Sequence, residues 1–315
     1  MTHRIAVLFP GQASQQVGMG RLAAARFVAA RRVFERVDEA LAAPISALCF
    51  EGSAERLQET RWQQPAVFAC SLALLAAWQA SGAYETSLVG AAGHSLGEFG
   101  ALVLAGSLTL EDAARLVGVR GTVMQEAADR HPGGMAAVLG LDRDTVAAIC
   151  AETSQPEAGN QEIVVLANDN APDQQVISGG LAALARAGAL ARARGARRVV
   201  PLKVAGAFHA PLMAEAAARF AQALETTPIG PCRFPVIANS TGEIVRDAAA
   251  VRAELARQIM APVRWVESVQ TLATLAPDLW VDTGPGAVVA GLARRVLPSL
   301  ETLTLSTSFD VPEAV

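Results

Sequence analysis

The chain has 315 residues, enough for one large domain or two smaller ones around an ordinary core, and 52% of them are hydrophobic. Its apolar stretches are Ala-rich and interrupted by Arg, Asp or Glu, so none reaches the ~20 residues needed to span a bilayer, and a soluble, cytoplasmic protein is expected. A formal net charge of -4 gives no reason to expect nucleic acid as a partner, because phosphate binding needs clustered positive charge.

In chain order, "RIAVLFPG" reads as a first strand stopped by Pro10-Gly11, and its apolar run is too short for the core of a signal peptide. Helical spacing then runs through "RLAAARFVAARRVFERVDEAL" and, after Pro65, through "AVFACSLALLAAWQAS". "SLVGAAGH" follows as a short buried strand and "LGEFGALVLAGSL" returns to helix. Strands alternating with helices imply an α/β fold whose sheet is mostly parallel. From Gly133 the order changes: strand "GGMAAVLGL", helix "DRDTVAAICAE", strands "EIVVLAND" and "QQVISG", helix "GLAALARAGALARARG" and strand "ARRVVPLKV". This βαββαβ order is that of a ferredoxin-like unit. It is expected as a small domain, 131–205, inserted into a large α/β-hydrolase-like catalytic domain formed by 1–130 and 206–315. The last residues, "SFDVPEAV", read as a loose tail.

Cys49, Cys70, Cys150 and Cys232 are scattered with no C-x-x-C spacing, which suits free buried thiols better than a disulfide frame or a zinc site. With no metal-ligand cluster or glycine-rich dinucleotide loop, neither a metal nor a tightly bound cofactor is expected. The one basic stretch, "RARGARRVVPLK", reads as a solvated helix end and loop, with a docking patch for an acidic partner or a nucleotide phosphate as the sharper alternative.

Gly93-His94-Ser95-Leu96-Gly97 fits the G-x-S-x-G nucleophile elbow, and an apolar strand before it and a helix after it supply the context that pattern requires. Ser95 would then project at the carboxyl end of the sheet, with the Leu96 N–H as a natural oxyanion donor. A serine nucleophile needs a base. His3 lies at the terminus, His131 precedes a Pro-Gly-Gly loop and His94 adjoins the serine, where consecutive side chains diverge. His209, in a loop before a helix, is left as the base. Arg120 sits among Val119, Gly121 and Val123, an apolar setting for a permanent charge, so its partner is either a structural carboxylate or a substrate one.

The chain resembles the malonyl-CoA:acyl carrier protein transacylases and the related acyltransferase domains of polyketide synthases. "FPGQASQ", "QPAVFA", "GHSLGEFGALVLAG", "RGTVMQ", "GGMAAVLGL", "ANDNAPDQQVISG", "AFHAPLM", "PVRWVESV" and "GPGAVVAGL" carry the resemblance in that order, from Phe9 to about Val296. It implies that Ser95 takes a malonyl group from malonyl-CoA with His209 as base, and passes it to the phosphopantetheine thiol of an acyl carrier protein. It also implies that N–H groups of Gln12 and Leu96 hold the oxyanion and that Arg120 pairs with the malonyl carboxylate. Gln258 corresponds to the family's further site glutamine. A backbone carbonyl is expected to orient the histidine, in a Ser–His dyad without an acidic third member. His94, Phe208 and Asn168 are expected to line the site. Leu96 and the "GAFH" segment resemble malonyl-selective members rather than methylmalonyl ones, and the family implies a monomer. Ala13, where the family usually has glycine, and "VDTGPG" depart from the common pattern. A carrier-protein thioester hydrolase, the malonyl-loading subunit of malonate decarboxylase and a non-catalytic docking subunit are the competing readings. Arg120 counts against the hydrolase, and the complete set of Ser95, His209, Gln12 and Arg120 against the docking subunit.

Overall fold

A computed structural model describes residues 3–82 and 86–310. Eleven strands fall in chain order: β1 (His3–Phe9), β2 (Thr86–Gly93), β3 (Gly133–Leu139), β4 (Val164–Ala171), β5 (Gln174–Gly180), β6 (Arg198–Pro201), β7 (Val236–Ile237), β8 (Ile244–Val245), β9 (Val263–Arg264), β10 (Leu279–Asp282) and β11 (Thr302–Thr304). Six of them form one sheet in the order β11-β10-β1-β2-β7-β8, parallel throughout except for β8. Ile5 to Phe9 of β1 are buried without interruption, as a central parallel strand covered on both faces requires.

The second sheet has the order β6-β3-β5-β4-β9, and its first four strands are antiparallel with the βαββαβ connectivity of a ferredoxin-like unit. Its fifth strand, β9, comes from beyond residue 205 and pairs parallel with β4. That pairing satisfies an edge of β4 that would otherwise expose open hydrogen-bonding groups. It also ties the two sheets together beside Asn168, whose register partner is Val263.

Three expectations change in three dimensions. The helical run over 21–41 is broken at Phe27, which is extended (φ -119°), into helices Arg21–Arg26 and Val28–Leu41. The apolar helix starts at Thr60 rather than after Pro65 and runs to Ala80. Its first turn is held from outside: Gln125 Oε1 accepts the Thr60 N–H at 2.9 Å. Gly121 packs so closely against this turn that a Cβ there would meet the Thr60 carbonyl oxygen at 2.9 Å. Proline near a helix start forfeits one backbone bond, a loss that tertiary support of this kind offsets. Finally, Ser308, Phe309 and Asp310 are not part of a loose tail. Asp310 accepts N–H bonds from Gly20 (2.6 Å), Leu22 (3.0 Å) and Ala23 (3.3 Å), and the Phe309 ring meets Phe27 edge-on at 5.6 Å. The rest of that segment, 311–315, lies outside the described residues.

Among the described residues no helix is long and apolar enough to cross a membrane. Cys49, Cys70 and Cys150 are buried and Cys232 is half-buried, all as free thiols. Burial pushes the Cys49 and Cys70 thiols well above their usual range.

Candidate active site

Three parallel strands deliver the site at their carboxyl ends, where open α/β sheets place ligands. β1 runs into Pro10 and the Gly11–Ala13 loop, β2 into His94 and Ser95, and β7 into Asn239. The turn after β2 is as tight as the two glycines suggest. A Cβ on Gly93 would lie 1.9 Å from the carbonyl carbon of Gly97, and one on Gly97 would lie 2.3 Å from the Phe9 carbonyl oxygen. Between them Ser95 takes a left-handed φ of +49°, a conformation that costs a non-glycine residue about 1–2 kcal/mol. The turn ends in helix Gly97–Leu104 with Leu96 at its N-cap.

Ser95 Oγ lies 2.9 Å from His209 Nε2. His209, in the loop after β6, is also left-handed (φ +59°). Its Nδ1 faces two backbone carbonyls, Gln258 O at 3.1 Å and Ala261 O at 2.9 Å. Carbonyls only accept, so Nδ1 carries the proton and Nε2 presents its lone pair to the serine hydroxyl. No carboxylate is needed for that tautomer. Burial, with the Arg120 charge as a lesser cause, lowers the His209 pKa to about 3. His209 is therefore neutral across the range in which an ordinary histidine titrates.

Arg120, on helix Leu110–Arg130, is fully buried. Its Nη2 donates to Ser95 Oγ and to Gln258 Oε1, both at 3.0 Å, and its Nη1 donates to Gln64 Oε1 at 2.7 Å. Its Nε has no hydrogen-bond partner, and its guanidinium carbon lies 6.0 Å from the centre of the Phe99 ring. Burial lowers its pKa to about 10, which leaves it charged at neutral pH. Among the described residues it has no ion pair, so a buried cation with an unused donor stands beside the Ser95 hydroxyl.

A cavity of about 210 Å³ opens onto Ser95 and His209, and Gln12, His94, Asn168 and Phe208 are on its wall. Arg120, Gln258 and Leu96, all buried, are not on that wall. His94 turns away from the serine, with Nε2 2.7 Å from Asn170 Oδ1. Two register irregularities in β4, on either side of Asn168–Asp169, leave Asn170 without a partner on β5 and aim it at this histidine. The Gln12 side chain donates to Gln63 Oε1. Gly11 lies so close to the elbow that a Cβ there would meet the His94 carbonyl oxygen at 2.8 Å. Ala13 holds the left-handed φ (+71°) that favours glycine, so the loop keeps its shape despite the alanine. A larger groove of about 700 Å³, lined by Trp62, Arg115 and Val119 among others, contains none of these groups.

Three participants escape sequence reasoning. Asn239 Oδ1 accepts the Ser95 N–H at 2.7 Å while its Nδ2 donates to Gly93 O at 2.7 Å, clamping both sides of the elbow. Gln64 holds Arg120. Glu98, fully buried, accepts from Gln258 Nε2 and from the Asn239 N–H (3.3 Å). A lone acid within the apolar helix "GEFGALVL" was the available signal for Glu98; nothing local marks the other two.

The stretch "RARGARRVVPLK" is largely exposed, with Arg194 paired to Glu152 and Arg197 to Asp173. Gln174, beside Asp173, reaches the cavity wall.

Because His209 is held neutral, the rate of serine acylation is expected to stay level as pH falls through 6.5, declining only toward about 3. Stability moves differently. A histidine whose folded pKa is depressed takes up its proton only on unfolding, so the fold loses stability as pH drops below the ordinary value near 6.5. Initial acylation rates and thermal melting followed together from pH 8 to 5 check this. A bend in the acylation rate near 6.5 with an unchanged melting temperature would contradict it.

Residues 7–308 match the family of acyl transferase domains. A malonyl CoA-acyl carrier protein transacylase of Bacillus subtilis is 39% identical over 303 residues, spanning 96% of this chain and 93% of that one. The solved malonyl CoA-acyl carrier protein transacylase of Coxiella burnetii superposes with a TM-score of 0.91 at 35% identity, covering 98% of this chain and 96% of its own. A structure described as a type II PKS acyl-carrier protein in complex with its malonyl-transacylase superposes with a TM-score of 0.90 at 36% identity, covering 98% and 99%.

Proposed function

The chain belongs to the acyl transferase domain family, and from that premise we propose that it moves a malonyl group from malonyl-CoA to the phosphopantetheine thiol of an acyl carrier protein. In the first half-reaction Ser95 Oγ passes its proton to His209 Nε2 and bonds to the thioester carbonyl carbon. The C–S bond then breaks and the proton goes from His209 to the departing CoA sulfur, leaving a malonyl-serine ester. In the second, the pantetheine thiol gives its proton to His209 and its sulfur attacks the ester carbonyl. The C–Oγ bond breaks and Ser95 recovers the proton. The N–H groups of Gln12 and Leu96 hold the oxyanion in both halves.

The observation that carries this reading is the buried Arg120 guanidinium on Ser95 Oγ. A charge-assisted pair with the distal carboxylate of the acyl group supplies the counter-charge that this cation lacks. A plain acyl chain leaves the guanidinium unpaired, so the site favours a diacid and disfavours acetyl. No bound cofactor enters the chemistry proposed here; the pantetheine belongs to the partner. The protein acts as a cytoplasmic monomer within this proposal, making polyketide or fatty-acid building blocks.

Brief incubation with malonyl-CoA, followed by peptide mapping and then addition of holo-acyl carrier protein, tests the whole scheme. The expected result is a malonyl ester on the peptide containing Ser95 that disappears as malonyl carrier protein accumulates. Release of free malonate without transfer would overturn the transferase in favour of a hydrolase.

A further inference from the structure

Gln258 Nε2 donates to the carboxylate of Glu98 and to the Ser95 carbonyl oxygen (3.1 Å), while Oε1 accepts from Arg120 at 3.0 Å. Reversing the amide would set oxygen against two acceptors and an N–H against a guanidinium, so only one orientation satisfies this environment. Glu98 and Arg120 specify it from opposite ends. The main-chain carbonyl of the same Gln258 accepts from His209 Nδ1, and the Asn239 that donates to Glu98 also accepts the Ser95 N–H. One fully buried carboxyl group thus touches two of the residues that support the Ser95–His209 pair, Gln258 and Asn239, while hydrogen-bonding to neither member of that pair.

The geometry points to Glu98 as a positioning residue for acyl-group selection: its carboxylate fixes the Gln258 amide, which holds Arg120 in the attitude that meets the malonyl carboxylate. This inference rests on the role of Arg120 proposed above. A carboxylate placed directly on Arg120 would occupy the donors that the substrate needs. Relayed through a neutral amide, Glu98 fixes Arg120 without occupying its donors, and the Arg120 Nε stays available. Other charges face Glu98 as well. Burial first, and then Glu254, which is itself buried and bonded to Ser240 and Arg257, push the Glu98 carboxyl well above its usual range, and Gln258, the Asn239 N–H and Arg120 offset this only in part.

The test compares acylation by malonyl-CoA and acetyl-CoA in Glu98→Gln, in Arg120→Ala and in the double variant. With the carboxylate gone, malonyl acylation is expected to fall about 10-fold or more while acetyl acylation stays within about 2-fold. In the Arg120→Ala background the second substitution is expected to change neither rate. Equal losses with both donors, or a full loss persisting without Arg120, would overturn the inference and make Glu98 a general support of the serine turn. Should Glu98→Gln fail to fold, Glu98→Asp shortens the side chain and withdraws the carboxyl from the Gln258 amide without altering Gln258 itself. It is expected to show the same malonyl-selective loss, and a loss common to both donors would overturn the inference equally. If Arg120→Ala alone leaves the malonyl-to-acetyl ratio intact, the proposed role of Arg120 fails. If Arg120→Ala collapses that ratio and Glu98→Gln does not, only the role of Glu98 fails.

Discussion

Ser95→Ala is expected to abolish acylation by malonyl-CoA, because the oxygen that takes the malonyl group is gone, and His209→Ala to lower it by about 10⁴-fold or more. The reason is that the two side chains act as one unit. The Ser95 hydroxyl is a weak nucleophile without an acceptor for its proton, and His209 Nε2, 2.9 Å away, is the basic group within reach of it. A neutral imidazole held by two carbonyls has no other task once the hydroxyl is gone. Rapid-quench acylation with radiolabelled malonyl-CoA reads both variants. Acylation of His209→Ala at close to the unsubstituted rate would exclude the dyad. Neither substitution should unfold the chain, because both side chains are small relative to the core around them. Ser95→Ala keeps a Cβ at the left-handed position, so the turn gains no relief and loses only the Oγ bonds.

Arg120→Ala is expected to lower kcat/KM for malonyl-CoA by about 10²–10⁴-fold while leaving acetyl-CoA within a few-fold of its original, slower rate. The size follows from losing two hydrogen bonds to a charged group, at ~1.5–3 kcal/mol each, with tenfold in rate per ~1.4 kcal/mol. Arg120→Lys should not restore the preference, because an ammonium cannot span Gln64, Gln258 and a substrate carboxylate with one planar fork. The alanine variant also leaves the side-chain oxygens of Gln64 and Gln258 buried without their donor, at a cost of about 1–3 kcal/mol each. A lower melting temperature is therefore expected beside the altered selectivity. Steady-state rates with both donors, at a temperature where the variant remains folded, separate the two effects. Parallel losses for malonyl and acetyl groups would remove Arg120 from acyl selection.

Much of this was legible in the residue order, and particular residues show why. The elbow at Ser95 is a local device: two glycines are needed because no Cβ fits at Gly93 or Gly97, and that need is visible as a spacing. The ferredoxin-like unit was legible for a similar reason, since strand and helix periodicities are properties of short windows. His209 could be reached by elimination among four histidines, and Arg120 by its apolar neighbours.

What periodicity could not reach are the elements whose shape is imposed from far along the chain. The helix at Thr60 begins before its proline because Gln125 and Gly121 hold the first turn. Residues 308–310 are ordered because Asp310 caps a helix 290 positions away. β9 is two residues long and exists as a strand because β4 offers it an edge. The sequence by itself singled out Ser95 and its turn, the ferredoxin-like unit and a histidine to pair with the serine, all through local sterics and hydrogen-bonding capacity. Only the tertiary structure decided that the base is oriented by the carbonyls of Gln258 and Ala261, that Asn239 clamps the elbow, and that Glu98 reaches Arg120 through one amide. These contacts join residues more than a hundred positions apart or on separate elements. They form only when packing brings the carboxyl ends of β1, β2 and β7 to one place and excludes water, where every buried polar atom needs a partner.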